Sequence, residues 1–152
     1  MRDESIYDLL KADHKTVREI FEQMESTGGQ VTRERLVGRL KLELLAHAEA
    51  EDTVFYKPLR LANEARDIIL EAEEEHRVVT RLLGELERMS AEDEKWKARV
   101  TVLKELVEHH VDEEEGEIFK KAKGIFDAEL EAELGAAFLT EKRRLQAEMR
   151  AA

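Results

Sequence analysis

The chain has 152 residues, 40% of them charged, 42% hydrophobic and only 5% aromatic. That length is one ordinary domain, and a composition dominated by Ala, Glu, Leu, Lys and Arg with one Pro and seven Gly excludes a many-stranded sandwich or barrel. A net charge of −11 sets the chain against phosphate backbones and anionic membranes, so no nucleic acid and no membrane partner is expected, and the lack of Cys excludes disulfides, thiolate metal sites, Cys nucleophiles and iron–sulfur clusters.

The N-terminus, Met1-Arg2-Asp3-Glu4-Ser5, leads straight into amphipathic helix without an apolar signal region, and nowhere do 18 apolar residues run together. A soluble, cytoplasmic, all-α protein is the expectation. Ser5 with Asp8 resembles a capping box opening a first helix to Gly28-Gly29, with Leu9, Leu10, Val17, Ile20, Phe21 and Met24 at helical spacing. Thr32 is expected to cap a second helix, which Pro58 stops or kinks. Asn63 is expected to cap a third, and Ser90 with Asp93 to open a fourth, which Gly124 closes. Asp127 then opens a shorter fifth helix. Long helices joined by short connections pack as an up-down-up-down four-helix bundle. The whole chain, 1–152, reads as a single domain, with the bundle over about 5–124 and a C-terminal helix over about 127–150 capping one flank or end.

Five His residues punctuate this pattern: 14, 47, 76, 109 and 110. His14 shares its helix face with Leu10, Val17 and Phe21, and His47 with Leu40, Leu44 and Val54. His76 lies with Ile69, Ala72, Val79 and Leu83, and His110 with Leu103, Val107 and Val111. Each bundle helix therefore points one His inward, while His109 reads as a surface residue. Unpaired imidazoles in a core are costly, so something must satisfy all four.

Two of them are followed one turn later by Glu, as His47-x-x-x-Glu51 and His110-x-x-x-Glu114, and positions i and i+4 share a face. Glu supplies 28 of the 152 residues, so the spacing alone is cheap, as His109/Glu113 shows. The combination is not. Shifting the first half by 62 to 63 residues lays His14 on His76, His47 on His110 and Glu51 on Glu114. The chain reads as two similar hairpins about a pseudo-twofold axis, each presenting one His and one His-x-x-x-Glu.

Six N/O donors without sulfur suit a pair of first-row metal ions, with two carboxylates free to bridge and four imidazoles to cap. Iron fits best and manganese is less favoured; a bridging oxo or hydroxo group would complete the pair. A single zinc would orphan two of the six groups, and two separate mononuclear sites stay open.

In the order His14 … His47-x-x-x-Glu51 … His76 … His110-x-x-x-Glu114, and in the strings His47-Ala-Glu-Ala-Glu51-Asp-Thr-Val-Phe55-Tyr56 and His110-Val-Asp-Glu-Glu114-Glu-Gly-Glu-Ile-Phe119, the sequence resembles the hemerythrin-like proteins, the HHE cation-binding group. The resemblance covers nearly the whole chain. It implies a non-heme di-iron centre in a four-helix bundle, with His76 and His110 on one iron, His14 and His47 on the other, and Glu51 and Glu114 bridging. One departure is informative. Oxygen-carrying hemerythrins place a second His one turn after the third-helix His, and here that position is Thr80. The pattern resembles the bacterial subgroup with one fewer His, in which water or another oxygen donor replaces it. Tyr7 and Tyr56 are the aromatic hydroxyls within range; both read as bundle-end packing, with Tyr56 facing away. Asp13 and Glu75, one residue before His14 and His76, are either solvated or bound to ring nitrogens across the bundle.

The functional expectation is a stand-alone di-iron protein that binds or reacts with O2, peroxide or NO, favouring peroxide or one-way redox chemistry over reversible oxygen carriage. Enzymatic turnover is left open, catalase-like peroxide consumption being the activity it would allow. The alternative is iron or oxygen sensing without turnover; a metal-free structural bundle ranks last. The oligomeric expectation is a monomer or weak dimer. No catalytic triad or phosphate loop supports hydrolysis, so no catalytic residue is expected beyond the metal ligands.

Overall fold

The computed structural model describes residues 4–152, so the Met1-Arg2-Asp3 part of the N-terminal reading lies outside the described residues. Helix α1 (Ile6–Ser26) starts where expected: the Ser5 hydroxyl accepts the N–H of Asp8 at 3.3 Å, satisfying one of the free donors of the first turn. Helix α2 (Gln30–Glu51) begins two residues ahead of Thr32, directly after Gly29. It does not stop at Glu51. The rod widens into a π turn (Asp52–Tyr56) and continues as the short α3 (Lys57–Arg60), which contains Pro58.

Helix α4 (Asn63–Arg88) has Ala62, not Asn63, in the capping position. The Ser90/Asp93 pair builds the connection instead of a helix start. Ser90 Oγ accepts from Glu92 N–H at 3.2 Å and Asp93 Oδ1 from Lys95 N–H at 2.8 Å, and α5 (Trp96–Glu113) begins only at Trp96. A second π turn (Glu114–Ile118) leads into α6 (Phe119–Ile125), which ends one residue past Gly124. Asp127 caps α7 (Ala128–Ala151) by accepting from Leu130 N–H at 2.8 Å.

α7 covers the expected span of about 127–150, and at 24 residues it is as long as the bundle helices rather than shorter. It buries Gly135, Phe138 and Leu145, and Leu130, Leu134, Leu139 and Met149 pack partly buried against the same cluster.

The rods beginning with α1, α2, α4 and α5 form the up-down-up-down bundle: α1 packs on α2 and α5, and α4 on α5 and α2. α7 lies across α1 and α2. The interior has two apolar clusters. One is rich in aromatics, including Tyr7, Phe55, Tyr56, Phe119, Phe126 and Phe138. The other is mostly aliphatic, from Val17 and Phe21 through Leu40 and Leu83 to Trp96 and Leu103. No helix among the described residues is long and apolar enough to cross a membrane.

Gly135 sets how closely α7 can lie on α1. A Cβ there would stand 2.7 Å from the Glu4 carbonyl oxygen and 3.2 Å from the Ile6 nitrogen, both backbone atoms that cannot swing aside. Gly38, within α2, has nothing within 4 Å of that position. Gly→Ala in a helix interior is ordinarily favourable by about 0.5–1 kcal/mol. We expect that gain for Gly38→Ala, and the opposite sign for Gly135→Ala, a loss of about 1–3 kcal/mol from overpacking. Urea unfolding of the two variants beside the parent chain checks the pair; stabilisation by Gly135→Ala would show that α7 does not sit this close.

Candidate metal centre

Between the two apolar clusters lies a layer of ionisable groups. His14, His47, His76 and His110 are 5–7% exposed, and Glu51 and Glu114 are fully buried. All six residues singled out in the sequence meet here. His109, with a side chain 70% exposed, stays outside among Glu75 and Glu113.

The six form two overlapping sets whose donor atoms lie within 4.8 Å of one another: His14, His47, Glu51 and Glu114, and Glu51, His76, His110 and Glu114. Both Glu residues belong to both sets. Glu51 Oε1 is 3.6 Å from His47 Nε2 and 3.1 Å from His76 Nε2. Glu114 reaches His14 Nε2 at 3.0 Å and His110 Nε2 at 3.5 Å. The Nε2 atoms of His76 and His110 are 3.0 Å apart.

Every ring turns Nε2 inward because its Nδ1 is held by a carboxylate outside. His47 Nδ1 lies 2.9 Å from Asp13, His110 Nδ1 2.8 Å from Glu75, His76 Nδ1 2.7 Å from Asp52 and His14 Nδ1 2.6 Å from Glu115. The pseudo-twofold extends to these partners. The residue before the lone His of each hairpin holds the other His of that hairpin, and the residue after each Glu holds a His of the opposite hairpin. Asp13 and Glu75 were visible as candidates in the sequence. Asp52 and Glu115 were not, since adjacent acids are common in so Glu-rich a chain.

Tyr56 overturns the expectation that it faces away. It is fully buried, its hydroxyl donates to Glu114, and the same oxygen lies 3.2 Å from His110 Nε2. On an α-helix a residue five beyond Glu51 is rotated by about 140°. In the π turn Lys57 N–H bonds to Asp52 O, five residues back, and the additional residue per turn brings Tyr56 round to the face of Glu51. Pro58 is not the cause: the second π turn begins at Glu114 with no Pro in that half. Tyr7 packs with Phe55 and Phe119 at ring distances of 6.0 and 4.9 Å, as bundle-end packing requires. Thr80 is exposed, and Val79 is the neighbour of His76 that faces inward.

Beside the four His a cavity of about 30 Å3 is walled by Val17, Leu44, Val79, Val107 and Val111, room for one water-sized molecule among apolar side chains.

The electrostatics favour charge in this layer. Burial opposes protonation of His47, but Glu51 and Asp13 outweigh it and push the imidazole up to about 10. Burial is likewise outweighed at His76, raised to about 10 by Asp52 and Glu51, and at His110, raised to about 9 by Glu114 and Glu75. Burial would raise the Glu114 carboxyl, yet the His110 and His14 rings beside it hold it well below the usual range. Burial and the charges of Glu114 and Glu51 keep the Tyr56 phenol protonated well above its ordinary value.

The family model of the hemerythrin HHE cation binding domain matches residues 5–122. The chain is 27% identical over 145 residues, 95% of its length, to a DNA nickase from Nostoc sp. (strain PCC 7120), and 25% identical over 112 residues to a hemerythrin-like protein from Schizosaccharomyces pombe. It spans 41% of the first relative and 55% of the second. A crystal structure of an HHE cation-binding domain-containing protein from Mycobacterium kansasii superposes with a TM-score of 0.76 at 25% identity, covering 95% of this chain and 89% of that one.

The raised imidazoles set a pH dependence. The sequence alone, with ordinary imidazoles near 6.5, places metal loss below about pH 6. In the metal-free fold, however, three His residues bind protons more tightly than in the unfolded chain. Their stabilisation is fully present below about pH 6.5 and is lost as pH rises through 9 to 10. A metal must displace those protons, so its apparent affinity should climb with pH over that window. Adding a divalent ion to metal-free protein at pH 7 should release about two protons per chain, one from His47 and one shared by His76 and His110, whose Nε2 atoms at 3.0 Å cannot both carry a proton. An indicator-dye titration measures this, and release of less than one would show that the imidazoles are already neutral.

Proposed function

This chain belongs to the hemerythrin HHE cation-binding family, and on that premise we propose that it holds two iron ions and uses them on a small oxidant. Glu51 Oε1 and Oε2, Glu114 Oε1 and His14 Nε2 are buried without hydrogen-bond partners. Buried carboxylate oxygens left unpaired are costly, and cations between the six groups would satisfy them, which is the observation that carries the reading. The donor set fits iron: four imidazole nitrogens and carboxylate oxygens, no sulfur. His14 and His47 would hold one ion, His76 and His110 the other, with Glu51 and Glu114 shared. Manganese fits less well. When bound, iron would supply one-electron redox chemistry toward O2, peroxide or NO.

The remaining work falls to the chain. Asp13, Glu75, Asp52 and Glu115 accept the Nδ1 protons, so each Nε2 lone pair faces inward once its proton leaves. Val17, Leu44, Val79, Val107 and Val111 keep bulk water out and leave space only for a ligand of a few atoms. Tyr56 holds Glu114 in place by its O–H bond, and its oxygen stands beside His110, where the family resemblance leaves a donor missing. A bound cation would reverse the electrostatics that keep this phenol protonated. Tyr56 is thus our candidate for the replacement oxygen donor on the His76/His110 side.

The nicking activity named for the Nostoc relative is not transferred, because a net charge of −11 opposes docking on DNA and most of that relative lies outside the matched segment. An iron-binding role without turnover is the second reading, favoured by the small size of the cavity.

Metal analysis of the purified chain should give about two iron per chain, and His47→Ala or His110→Ala should remove most of it while His109→Ala does not. One zinc per chain would sink the di-iron reading. In the ferric protein, Tyr56→Phe should abolish visible phenolate-to-iron absorption; an unchanged spectrum would leave Tyr56 as a hydrogen-bond donor alone. Exposing the reduced protein to O2 and then sparging with argon should leave it oxidised, and recovery of the starting spectrum would instead establish reversible carriage.

A further inference from the structure

The two halves of the centre match in sequence but not in surroundings. The difference comes from α7, which lies outside the repeat. Lys142 is only 12% exposed at its side chain. Its Nζ donates to Asp13 Oδ1 at 2.8 Å and to Glu43 Oε2 at 3.0 Å. The other oxygen of Asp13 is the one that holds His47 Nδ1 at 2.9 Å. One turn earlier on α7, Phe138 is fully buried with its ring edge-on to His47 at 5.6 Å. Lys142 and Phe138 therefore brace the same imidazole, one through Asp13 and one by contact.

The opposite half has an aromatic contact, Tyr56 stacked on His76 at 5.2 Å, but not the cation. Among the described residues, Asp13 is the only one of the four outer carboxylates within 4.0 Å of a Lys or Arg. Its repeat mate Glu75 has only the exposed His109, at 3.8 Å, beside its second oxygen.

We propose that Lys142 is a positioning residue for the His14/His47 half of the centre, acting through Asp13 on His47. The physical reason is that Asp13 and Glu43 are two partly buried carboxylates sharing one cation. Without that cation they repel, and the cheapest relief is for Asp13 to turn away from His47 toward water. His47 then loses the acceptor that fixes its ring orientation, and Nε2 is no longer held inward. The clamp also ties the last helix to the centre, so undocking of α7 and loosening of one metal position become a single event. This inference rests on the two-metal reading above.

Cobalt(II) serves as the probe, added to the metal-free chain and followed by visible absorption and calorimetry. The parent chain should take up two ions. Lys142→Met should keep one at unchanged affinity and bind the other about tenfold or more weakly, the usual cost of losing an outer partner of a metal-binding His. Asp13→Asn should reproduce this, and the double variant should be no worse than Asp13→Asn alone, because both act through one carboxylate. Lys142→Arg should restore most of the lost affinity. Glu43→Gln in the Lys142→Met background should restore part of it by removing the repulsion. Thermal melting of each metal-free variant separates loss of fold from loss of the clamp, and if Lys142→Met does not fold, the Asp13→Asn and Lys142→Arg arms decide. Equal weakening of both ions, or additive effects of Lys142→Met and Asp13→Asn, overturns the proposal. A parent chain that takes up one ion overturns the two-metal reading, and the clamp then stands only if Lys142→Met weakens that ion.

Discussion

The structure is organised around the cost of burying charge. Two carboxylates and four imidazoles occupy the middle of a helical bundle, where water cannot reach them. Such groups are tolerated only when paired. The fold meets that demand in two layers. Outside, four carboxylates take the Nδ1 atoms of the four rings. Inside, the Nε2 atoms and the Glu oxygens face one another, and several find no hydrogen-bond partner at all. The outer layer thereby pre-orients the inner one, and what the inner layer lacks is positive charge that protons supply in part and metal ions would supply fully.

Much of the remaining architecture follows from this layer. It separates an aromatic cluster from an aliphatic one, so the bundle has two cores and a polar belt between them. The aliphatic side provides the cavity next to the rings. The aromatic side provides Tyr56. Both long rods switch to a π turn at the Glu they contribute, directly after Glu51 in one and beginning with Glu114 in the other. A π turn weakens helical geometry and is retained where it re-aims side chains. Here it lets Glu51, Asp52 and Tyr56 each serve the centre from one short stretch: the first inward, the second to His76, the third to Glu114.

The repeat makes the two halves alike, and the last helix makes them different. α7 covers α1 and α2, and among the described residues no repeated counterpart covers α4 and α5. The His14/His47 half gains Phe138 and Lys142, while the His76/His110 half gains Tyr56. Two chemically unequal positions thus arise from a nearly symmetric donor set.

The sequence by itself determined a good deal. One His per bundle helix on an apolar face, and two Glu one turn beyond two of those His, are statements about helical periodicity, which is local and readable from residue spacing. The 62- to 63-residue repeat added the pairing of hairpins. What only the tertiary structure decided lies where periodicity breaks or where helices distant in sequence meet. Tyr56 faces the centre because of a π turn, and an α-helical wheel carries no sign of it. Asp52, Glu115 and Lys142 acquire their roles from contacts across 24 to 129 residues, among acids and bases too numerous to single out beforehand. The span of α7 was legible, but its place against the centre was not: that rests on Gly135, whose missing Cβ matters only once α1 lies beside it.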